Sequence, residues 1–527
     1  MRKILVILLL FIVSFSGYTQ KISPLLFGQN AWMPSWFYSG HLDKIWRHAQ
    51  PGNFKVIRIG GITYEDNFDP HIDDFIRFVD SIRMVCNAEP VLQVPRTYTI
   101  QQTNDLYNYI NVVKNKNVKY WSIGNEPDYH NKNTLAETAA YFVRIAKALK
   151  DNDSSLVISG PDYANFWVHP GDIYDAGKTQ YTSFIKAVGM EMNTRQTAYL
   201  LDIFTFHNYV GYTIDKVNDN QDIERVLDNI NITLKEINAK RTKGLKNKAS
   251  WGIGEFNISS DGSQQRNRWS FYTGQYFAMI FGAGMKKEAA YITPWSLIEG
   301  EYRKSSDLSM FENAANQYKP RSTFYHTKML SDNYRENYMN TTSTQGAVKT
   351  IGMKDENGFT LMVMNTSENT LYKTKISLDI KSGISDELAI KADGGINIEH
   401  STQIPANSTN TFIFDNQGHF VKKITYTKSD TDSFKPPTES TDPLLGSETL
   451  NKNTLLVYPT VTSDFLIVKN SQAQFPLTVK IADMTGRVCF EKQITSEKLD
   501  VSLLGKGIYQ AIISGNGNAQ TFRFIKQ

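Results

Sequence analysis

The chain has 527 residues, 41% of them hydrophobic and 21% charged, and a net charge of +4. This length is too great for one hydrophobic core, so we expect roughly two to four domains. The small net charge gives no reason to predict nucleic acid or an anionic membrane surface as a partner. The two cysteines, Cys86 and Cys489, lie far apart in the sequence, and neither a disulfide nor a thiolate metal site is expected.

Residues 1–20 are predicted to be a secretory signal peptide. Arg2 and Lys3 precede an apolar run, Ile4–Val13, that is too short to span a bilayer comfortably. Small and polar residues follow, and we expect cleavage near Gly17–Gln20. An uncleaved anchor is the alternative, which the short apolar run disfavours. No stable membrane span is expected in the rest of the chain.

Strand-like runs alternate with helical patterns over residues 21–332. The segments 72–82 and 135–149 have the apolar spacing of helices with one buried face. The runs between helices have the Val, Ile and Phe character of parallel strands covered on both sides. Eight such runs predict an α/β fold, a (β/α)8 TIM barrel. An open doubly wound sheet is the alternative, but no glycine-rich phosphate loop follows the first strand. The predicted strands are Leu26–Trp32, Lys55–Gly61, Pro90–Pro95, Lys119–Gly124, Leu156–Gly160, Asp202–His207, Trp251–Phe256 and Ala289–Trp295.

The pattern changes after the last predicted barrel helix, Ser322–Leu330. Short alternating runs separated by turn residues predict an antiparallel β-sandwich over residues 333–426. Residues 427–453 are rich in Ser, Thr, Asp and Pro and are predicted to form a linker. Residues 454–527 return to short alternating strands, which predict a small all-β module.

Two predicted barrel strands carry a glutamate at or near their ends. Gly124-Asn125-Glu126-Pro127 follows the fourth strand, and Glu255 lies at the end of the seventh. Active sites of TIM barrels lie at the carboxyl ends of the strands, and strands three apart face each other across the mouth. Glycoside hydrolysis needs such a pair. One carboxylic acid protonates the leaving oxygen, and a second carboxylate attacks, or positions water at, the anomeric carbon. One such glutamate alone would more often be a surface acid or an ion-pair partner.

These motifs resemble those of the clan-A retaining glycoside hydrolases, over about residues 25–300. The resemblance implies that Glu126 is the acid/base, that Glu255 is the nucleophile and that Asn125 bonds the sugar 2-hydroxyl. The acid then needs a raised pKa. The motif is similar to those of the heparanase and β-glucuronidase group, the β-xylosidase group and some endoglucanases, and it does not select among them.

Four further residues resemble clan-A substrate-binding positions. Arg58 is similar to an arginine on the second strand, and His207 and Tyr209 to residues around the nucleophile on the sixth. Trp295 is similar to the tryptophan beneath the bound sugar. On this reading, Arg58 and Tyr209 keep Glu255 ionised. His207 could equally be a hydrogen-bonded core histidine, and Arg58 a structural ion-pair partner.

Other strand-end residues are predicted to line the barrel mouth. Arg96 could bind a uronic acid carboxylate through its guanidinium, or it could serve in a salt bridge. No HExxH pair or EF-hand loop occurs, so no metal or other cofactor is predicted. The mouth residues are Asn30, Trp32, Tyr64, Arg96, Tyr98, Asp162 and Tyr163.

The last module has its own motifs: Tyr458-Pro459, Thr485-Gly486-Arg487 and Gly507-Ile508-Tyr509. These resemble the C-terminal sorting domain of the type IX secretion system of Bacteroidetes, although Thr460 stands where that family usually has Asn. The resemblance implies the type IX machinery as a partner and a location in the medium or at the outer-membrane cell surface. A carbohydrate-binding β-module is the alternative.

The sequence therefore predicts a secreted retaining glycoside hydrolase that cleaves a β-linked poly- or oligosaccharide by double displacement. Two alternatives stay open. One is a catalytically inactive surface protein that binds glycans, and the other is a transglycosylase that uses the same residues.

Overall fold

A computed structural model gives the fold, and the chain forms two compact units, residues 1–446 and residues 447–527. The predicted signal peptide lies outside the described residues, apart from Gln20. The structure describes residues 20–32, 41–66, 72–129, 133–164, 184–186, 188, 200–209, 221–240, 248–258, 270–299, 307–383, 387–441, 455–458, 461–470, 475–483, 485–515 and 518–527.

The first unit begins with parallel strands that pair in sequence order. They are β1 (Gly28–Ala31), β2 (Val56–Ile59), β3 (Glu89–Val94), β4 (Tyr120–Ile123), β5 (Val157–Tyr163), β6 (Ile203–Tyr209) and β7 (Ser250–Asn257). Residues 289–295 close the sheet between β7 and β1. Ile292 forms parallel bridges to both Ile253 and Phe27, and its carbonyl accepts a hydrogen bond from Gly28 N at 2.9 Å. The predicted TIM barrel is confirmed, and the open doubly wound sheet is excluded.

Helices pack against this barrel. The α5 helix (Leu135–Asn152) begins at a capping box, in which Glu137 N donates to Thr134 Oγ1 while the Glu137 carboxylate accepts from Thr134 N. The α7 helix (Phe271–Lys286) is buried along almost its whole length because it lies between the barrel and the β-sandwich. The described helices of this region are α1 (His41–Ala49), α2 (Ile62–Asp66), α3 (Ile72–Met84), α4 (Ile100–Tyr107), α5 (Leu135–Asn152), α6 (Gln221–Lys240), α7 (Phe271–Lys286) and α8 (Ser322–Ser331).

The inside of the barrel changes from apolar to polar along the strands. Val56, Val91 and Ile203 belong to one small buried apolar cluster near the strand beginnings. Arg58 and Gln93, two residues further along β2 and β3, are also buried. Because side chains alternate along a strand, residues two apart share a face. The barrel therefore has an apolar base and a polar upper layer.

The sandwich follows α8 and has a six-stranded sheet and a four-stranded sheet. The six-stranded sheet has the order β17-β16-β15-β11-β10-β8, and the four-stranded sheet has the order β14-β12-β13-β9. Leu361 and Val363 of β11 point into the sandwich, whereas Met362 and Met364 join the barrel core. The strands are β8 (Asn337–Met339), β9 (Thr341–Ser343), β10 (Val348–Asp355), β11 (Gly358–Asn365), β12 (Tyr372–Ser377), β13 (Leu388–Ala392), β14 (Glu399–Ile404), β15 (Ser408–Asp415), β16 (Phe420–Thr427) and β17 (Thr438–Ser440).

Two details of this region differ from the sequence-based expectation. The strands β12 and β13 pair in parallel, although the rest of the described sandwich is antiparallel. Part of the predicted linker is ordered. A short helix, α9 (Lys428–Asp432), follows β16 because Thr427 and Asp430 form another capping box, and β17 then pairs with β16.

The second unit is all-β. Buried residues such as Leu466, Val479 and Ala511 contribute to its core. One sheet has the order β18-β20-β23, and the other has the order β19-β25-β24-β21-β22. The strands are β18 (Leu455–Tyr458), β19 (Val461–Thr462), β20 (Phe465–Asn470), β21 (Leu477–Asp483), β22 (Val488–Ile494), β23 (Lys498–Asp500), β24 (Gly507–Gly515) and β25 (Asn518–Lys526).

Candidate active site

A tight turn after β4 positions the first glutamate. Gly124 has φ +78°, and a Cβ there would lie 2.8 Å from the hydroxyl of Tyr141, so glycine suits this position on both counts. Glu126 also adopts a left-handed conformation, with φ +46°, and its backbone N–H donates to the carbonyl of Asp162 at 2.9 Å. The side chain of Glu126 is 13% exposed, whereas Asn125 is buried. The turn thus leaves one of its two polar side chains accessible.

The second glutamate, Glu255, lies within β7 and is buried. Both of its carboxylate oxygens accept hydrogen bonds. Arg58 Nη1 donates to Oε1 at 2.9 Å, and the Tyr209 hydroxyl donates to Oε2 at 2.7 Å. Burial raises the pKa of Glu255, and the positive charges of His207 and Arg58 offset only part of that rise. The expected effect of Arg58 on the pKa of Glu255 is therefore present but smaller than the effect of burial.

Arg58 of β2 is the centre of the hydrogen-bond network and is completely buried. Besides Glu255, its guanidinium donates to Asn30 Oδ1 at 3.0 Å and to Asn125 Oδ1 at 2.8 Å. It also donates to Asp162 Oδ2 at 2.9 Å. Burial lowers the pKa of Arg58, but the carboxylates of Asp162 and Glu255 raise it by more. Arg58 therefore forms one ion pair with Asp162 and another with Glu255, and its part in substrate binding stays a prediction.

His207 of β6 lies between the two glutamates. Its Nδ1 is 2.9 Å from Glu126 Oε1 and 3.6 Å from Glu255 Oε2. Burial lowers the pKa of His207, but Glu255 and the hydrogen bond with Glu126 raise it above its ordinary value. The ring is buried, as in the core-histidine alternative, yet it touches both predicted carboxylates.

The two glutamates approach each other closely. One oxygen of Glu126, one oxygen of Glu255 and one ring nitrogen of His207 all lie within 4.8 Å of one another. Three such groups could surround a divalent cation. However, the raised pKa of His207 favours an imidazolium, which has no free lone pair to offer a metal.

Aromatic side chains stand beside the carboxylates. Trp32, Tyr209, Trp295 and Leu308 form one apolar cluster, and the ring centroids of Trp32 and Trp295 lie 6.4 Å apart. The indole Nε1 of Trp295 donates to Glu299 Oε1 at 2.7 Å, which fixes the ring plane. The predicted sugar-binding tryptophan is thus next to the tyrosine that contacts Glu255.

Several other predicted mouth residues have structural partners. Arg96 forms an ion pair with the buried Glu65 at 3.2 Å, which corresponds to its salt-bridge alternative. Tyr163 packs in the core against Phe184, with ring centroids 5.6 Å apart.

Sequence reasoning missed Gln93 and Ser122, and it gave Asp162 no role beyond lining the mouth. All three are buried and bonded within this network: Gln93 accepts from Arg58 at 3.3 Å, and Ser122 donates to Asp162 Oδ2 at 2.9 Å. Burial raises the pKa of Asp162, but Arg58 and His207 lower it below its ordinary value. The signal that could have found them is a polar residue at an inward-facing position of an otherwise apolar strand.

Solved glycosidase structures are similar to this chain to different degrees. A family 51 α-L-arabinofuranosidase from Bifidobacterium longum has a TM-score of 0.52 and 14% identity, over 68% of this chain and 85% of its own. A glucosidase from Croceicoccus marinus has a TM-score of 0.48 and 11% identity, over 91% and 93%. A GH39 β-xylosidase from Caulobacter crescentus has a TM-score of 0.45 and 12% identity, over 68% and 83%. At 14% identity, the likeness to the arabinofuranosidase shows the fold. No curated protein sequence matches this chain.

Residues 456–527 match the family described as the secretion system C-terminal sorting domain. The chain ends in a sorting domain. The prediction from its Tyr-Pro, Thr-Gly-Arg and Gly-Ile-Tyr motifs is confirmed, so the protein is a type IX export substrate, secreted or carried to the cell surface. In the part of the chain that the structure describes, no helix is long and apolar enough to cross a bilayer.

Proposed function

We propose that the protein is a secreted retaining glycoside hydrolase that cleaves a poly- or oligosaccharide by double displacement. The observation that carries this proposal is the approach of Glu126 and Glu255, one oxygen of each lying within 4.8 Å of the other. Carboxyl groups are roughly 5–5.5 Å apart in retaining enzymes and roughly 6.5–9.5 Å apart in inverting ones, which need room for a water. The β-linkage of the substrate remains a prediction from the sequence.

In the first step, a Glu255 oxygen attacks the anomeric carbon. The bond from that carbon to the leaving oxygen breaks, and Glu126 delivers its proton to that oxygen. The hydrogen bonds from Arg58 and Tyr209 to Glu255 fix the carboxylate. No further free energy is then needed to orient it at the moment of attack. The product of this step is a glycosyl ester of Glu255.

In the second step, Glu126 takes a proton from water, and the resulting hydroxide oxygen attacks the anomeric carbon. The ester bond to Glu255 breaks, and the sugar leaves with its original anomeric configuration. His207 bonds to Glu126 through both steps and can support either protonation state of that carboxyl. We expect Asn125, which adjoins Glu126 and accepts a hydrogen bond from Arg58, to bond the hydroxyl next to the anomeric carbon.

The aromatic cluster supports a sugar substrate. Trp295 is 7% exposed and adjoins Trp32, which is 3% exposed, so the surface that a sugar would contact is small and is held in place by Glu299. Because Arg96 is already paired with Glu65, we expect it to contribute less to binding a uronic acid than a free arginine would.

The test begins with a panel of aryl glycosides and polysaccharides that includes α-L-arabinofuranosides as well as β-xylosides, β-glucosides and β-glucuronides. On any substrate that is cleaved, Glu126→Gln and Glu255→Gln should each lower kcat/KM by about a thousandfold or more. Glu89→Gln is the matched control, because Glu89 begins β3 at the opposite end of the barrel and is half-exposed. It should retain wild-type activity.

The stereochemistry of the first product, followed by NMR, tests the proposed mechanism directly. Retention is expected, and inversion would refute double displacement. Transfer of the sugar to an added alcohol in preference to water would favour the transglycosylase alternative. Full activity in either glutamine variant would remove the assigned roles, and binding of glycans without any cleavage would favour the inactive binding protein.

A further inference from the structure

Asp162, at the end of β5, is completely buried, and the proposed mechanism gives it no contact with the substrate. It nevertheless touches several parts of the proposed catalytic network. Its Oδ2 accepts hydrogen bonds from Arg58 and from Ser122, both at 2.9 Å. Its backbone carbonyl accepts from Glu126 N at 2.9 Å, and its own φ of +58° is uncommon for a residue with a side chain. A buried carboxylate is costly unless it is paired, so this arrangement calls for a role.

The second carboxylate oxygen of Asp162 faces His207. Oδ1 lies 3.8 Å from His207 Nε2, and the side chain of Thr205, two residues before His207 on β6, also interacts with this carboxylate. A Cβ on Gly254 of β7 would lie 2.2 Å from Oδ1. The backbone of β7 therefore packs directly against this carboxylate and leaves no space for another group on that side. The other ring nitrogen of His207 bonds to Glu126. An imidazolium, with a proton on each nitrogen, would therefore meet a carboxylate at both ends of the ring.

We propose that Asp162 is a positioning residue that holds Arg58 in place and keeps His207 as an imidazolium, so that Glu126 and Glu255 retain one proton between them. The inference rests on the proposed function of that glutamate pair. The cluster contains three carboxyl groups and two cations, Arg58 and His207. Two cations compensate two carboxylates in a buried site, and the third carboxyl group binds a proton. The retained proton is the one that a leaving oxygen needs.

The other ionisable groups around the cluster do not alter this balance of three carboxyl groups and two cations. Burial raises the pKa values of Tyr209 and Tyr291, so both phenols stay neutral. Glu65 and Arg96 form their own ion pair. Glu299 accepts from an indole N–H and from a backbone N–H, both at 2.7 Å.

The experiment compares Asp162→Asn with Asp202→Asn in the full chain. Asp202 is also buried, accepts from Lys150 Nζ at 2.8 Å and from Ile158 N at 2.9 Å, and precedes β6 at the opposite end of the barrel. The measurement is kcat/KM against pH on a substrate found in the screen. Without the Asp162 charge, the cluster should release its proton more easily. The alkaline limb of the profile should therefore move to lower pH by about one unit or more. Asp202→Asn should leave both limbs in place.

A uniform fall in kcat/KM with unmoved limbs would overturn the proposal, as would an equal shift in Asp202→Asn. A second measurement needs no substrate and does not depend on the Asp162→Asn variant. In the wild-type chain with ¹³C-labelled histidine, the His207 signal, assigned by its loss in His207→Gln, should stay in the imidazolium range above pH 6.5. A neutral His207 at pH 6 would overturn the proposal even if no glycoside is cleaved. A charged His207 in a chain that cleaves nothing would leave this inference standing while the proposed function fails.

Discussion

Replacing Gly254 by alanine should disrupt the buried network without altering any charged residue. The added Cβ would lie 2.2 Å from Asp162 Oδ1 and 2.9 Å from its Cγ, both well inside ordinary contact distance. Asp162 would have to move by roughly 1 Å to restore ordinary contact distances. That movement would stretch its bonds from Arg58 and Ser122, which are both 2.9 Å long.

The cost follows from two contributions. Overpacking a well-packed interior costs about 1–3 kcal/mol, and loss of a hydrogen bond to a charged group costs about 1.5–3 kcal/mol. We therefore expect Gly254→Ala to lower the free energy of unfolding by about 3–5 kcal/mol. Gly346→Ala is the matched control, because nothing lies within 4 Å of a Cβ at that position. It should change stability by no more than about 0.5 kcal/mol.

Guanidinium unfolding followed by tryptophan fluorescence measures this difference. All eight tryptophans lie between Trp32 and Trp295, so the signal reports on the barrel. A Gly254→Ala protein with wild-type stability would show that Asp162 can move freely. The rigid network described around Arg58 would then be the wrong picture.

Three further predictions concern pH and export. Tyr209→Phe removes a donor that lowers the pKa of Glu255, so the acidic limb of kcat/KM should move up by about 1–2 pH units, whereas Tyr276→Phe should not move it. Burial lowers the pKa of His326 to about 4. Below about pH 6.5 the unfolded chain binds a proton that the folded chain does not, so the free energy of unfolding should fall by about 3 kcal/mol between pH 6.5 and pH 4. His326→Gln should flatten stability over that window in urea titrations, and an unchanged slope would contradict the assignment. A chain that ends at Gly446 should keep the unfolding midpoint of the first unit but lose export, which immunoblots of medium and cell surface would detect.

The barrel was predictable because its strands are short runs of apolar residues between amphipathic helices. Glu126 and Glu255 could be paired because strand count alone places β4 and β7 across the mouth. Arg58 was found through its resemblance to a known family position. Its partners were harder to find, because the sequence of a strand does not show which hydrogen bonds its inward-facing polar side chains form.

The missed features depend on contacts between distant parts of the chain. Nothing local marks Ser122 as a donor to Asp162, or Gly254 as the residue that leaves room for that carboxylate. The parallel pairing of β12 with β13 depends on a crossover that turn residues do not encode. The ordered start of the predicted linker was also missed, because β17 gains its structure by pairing with β16.

The burial of α7 has a consequence for how such proteins evolve. A Cβ on Gly282 of this helix would lie 2.9 Å from Ile351 of β10, and Met362 and Met364 belong to the barrel's own core. A gene fragment that ended near residue 332 would encode a barrel in which the apolar surface of α7 is exposed to solvent. We therefore expect the barrel and the sandwich to be inherited together.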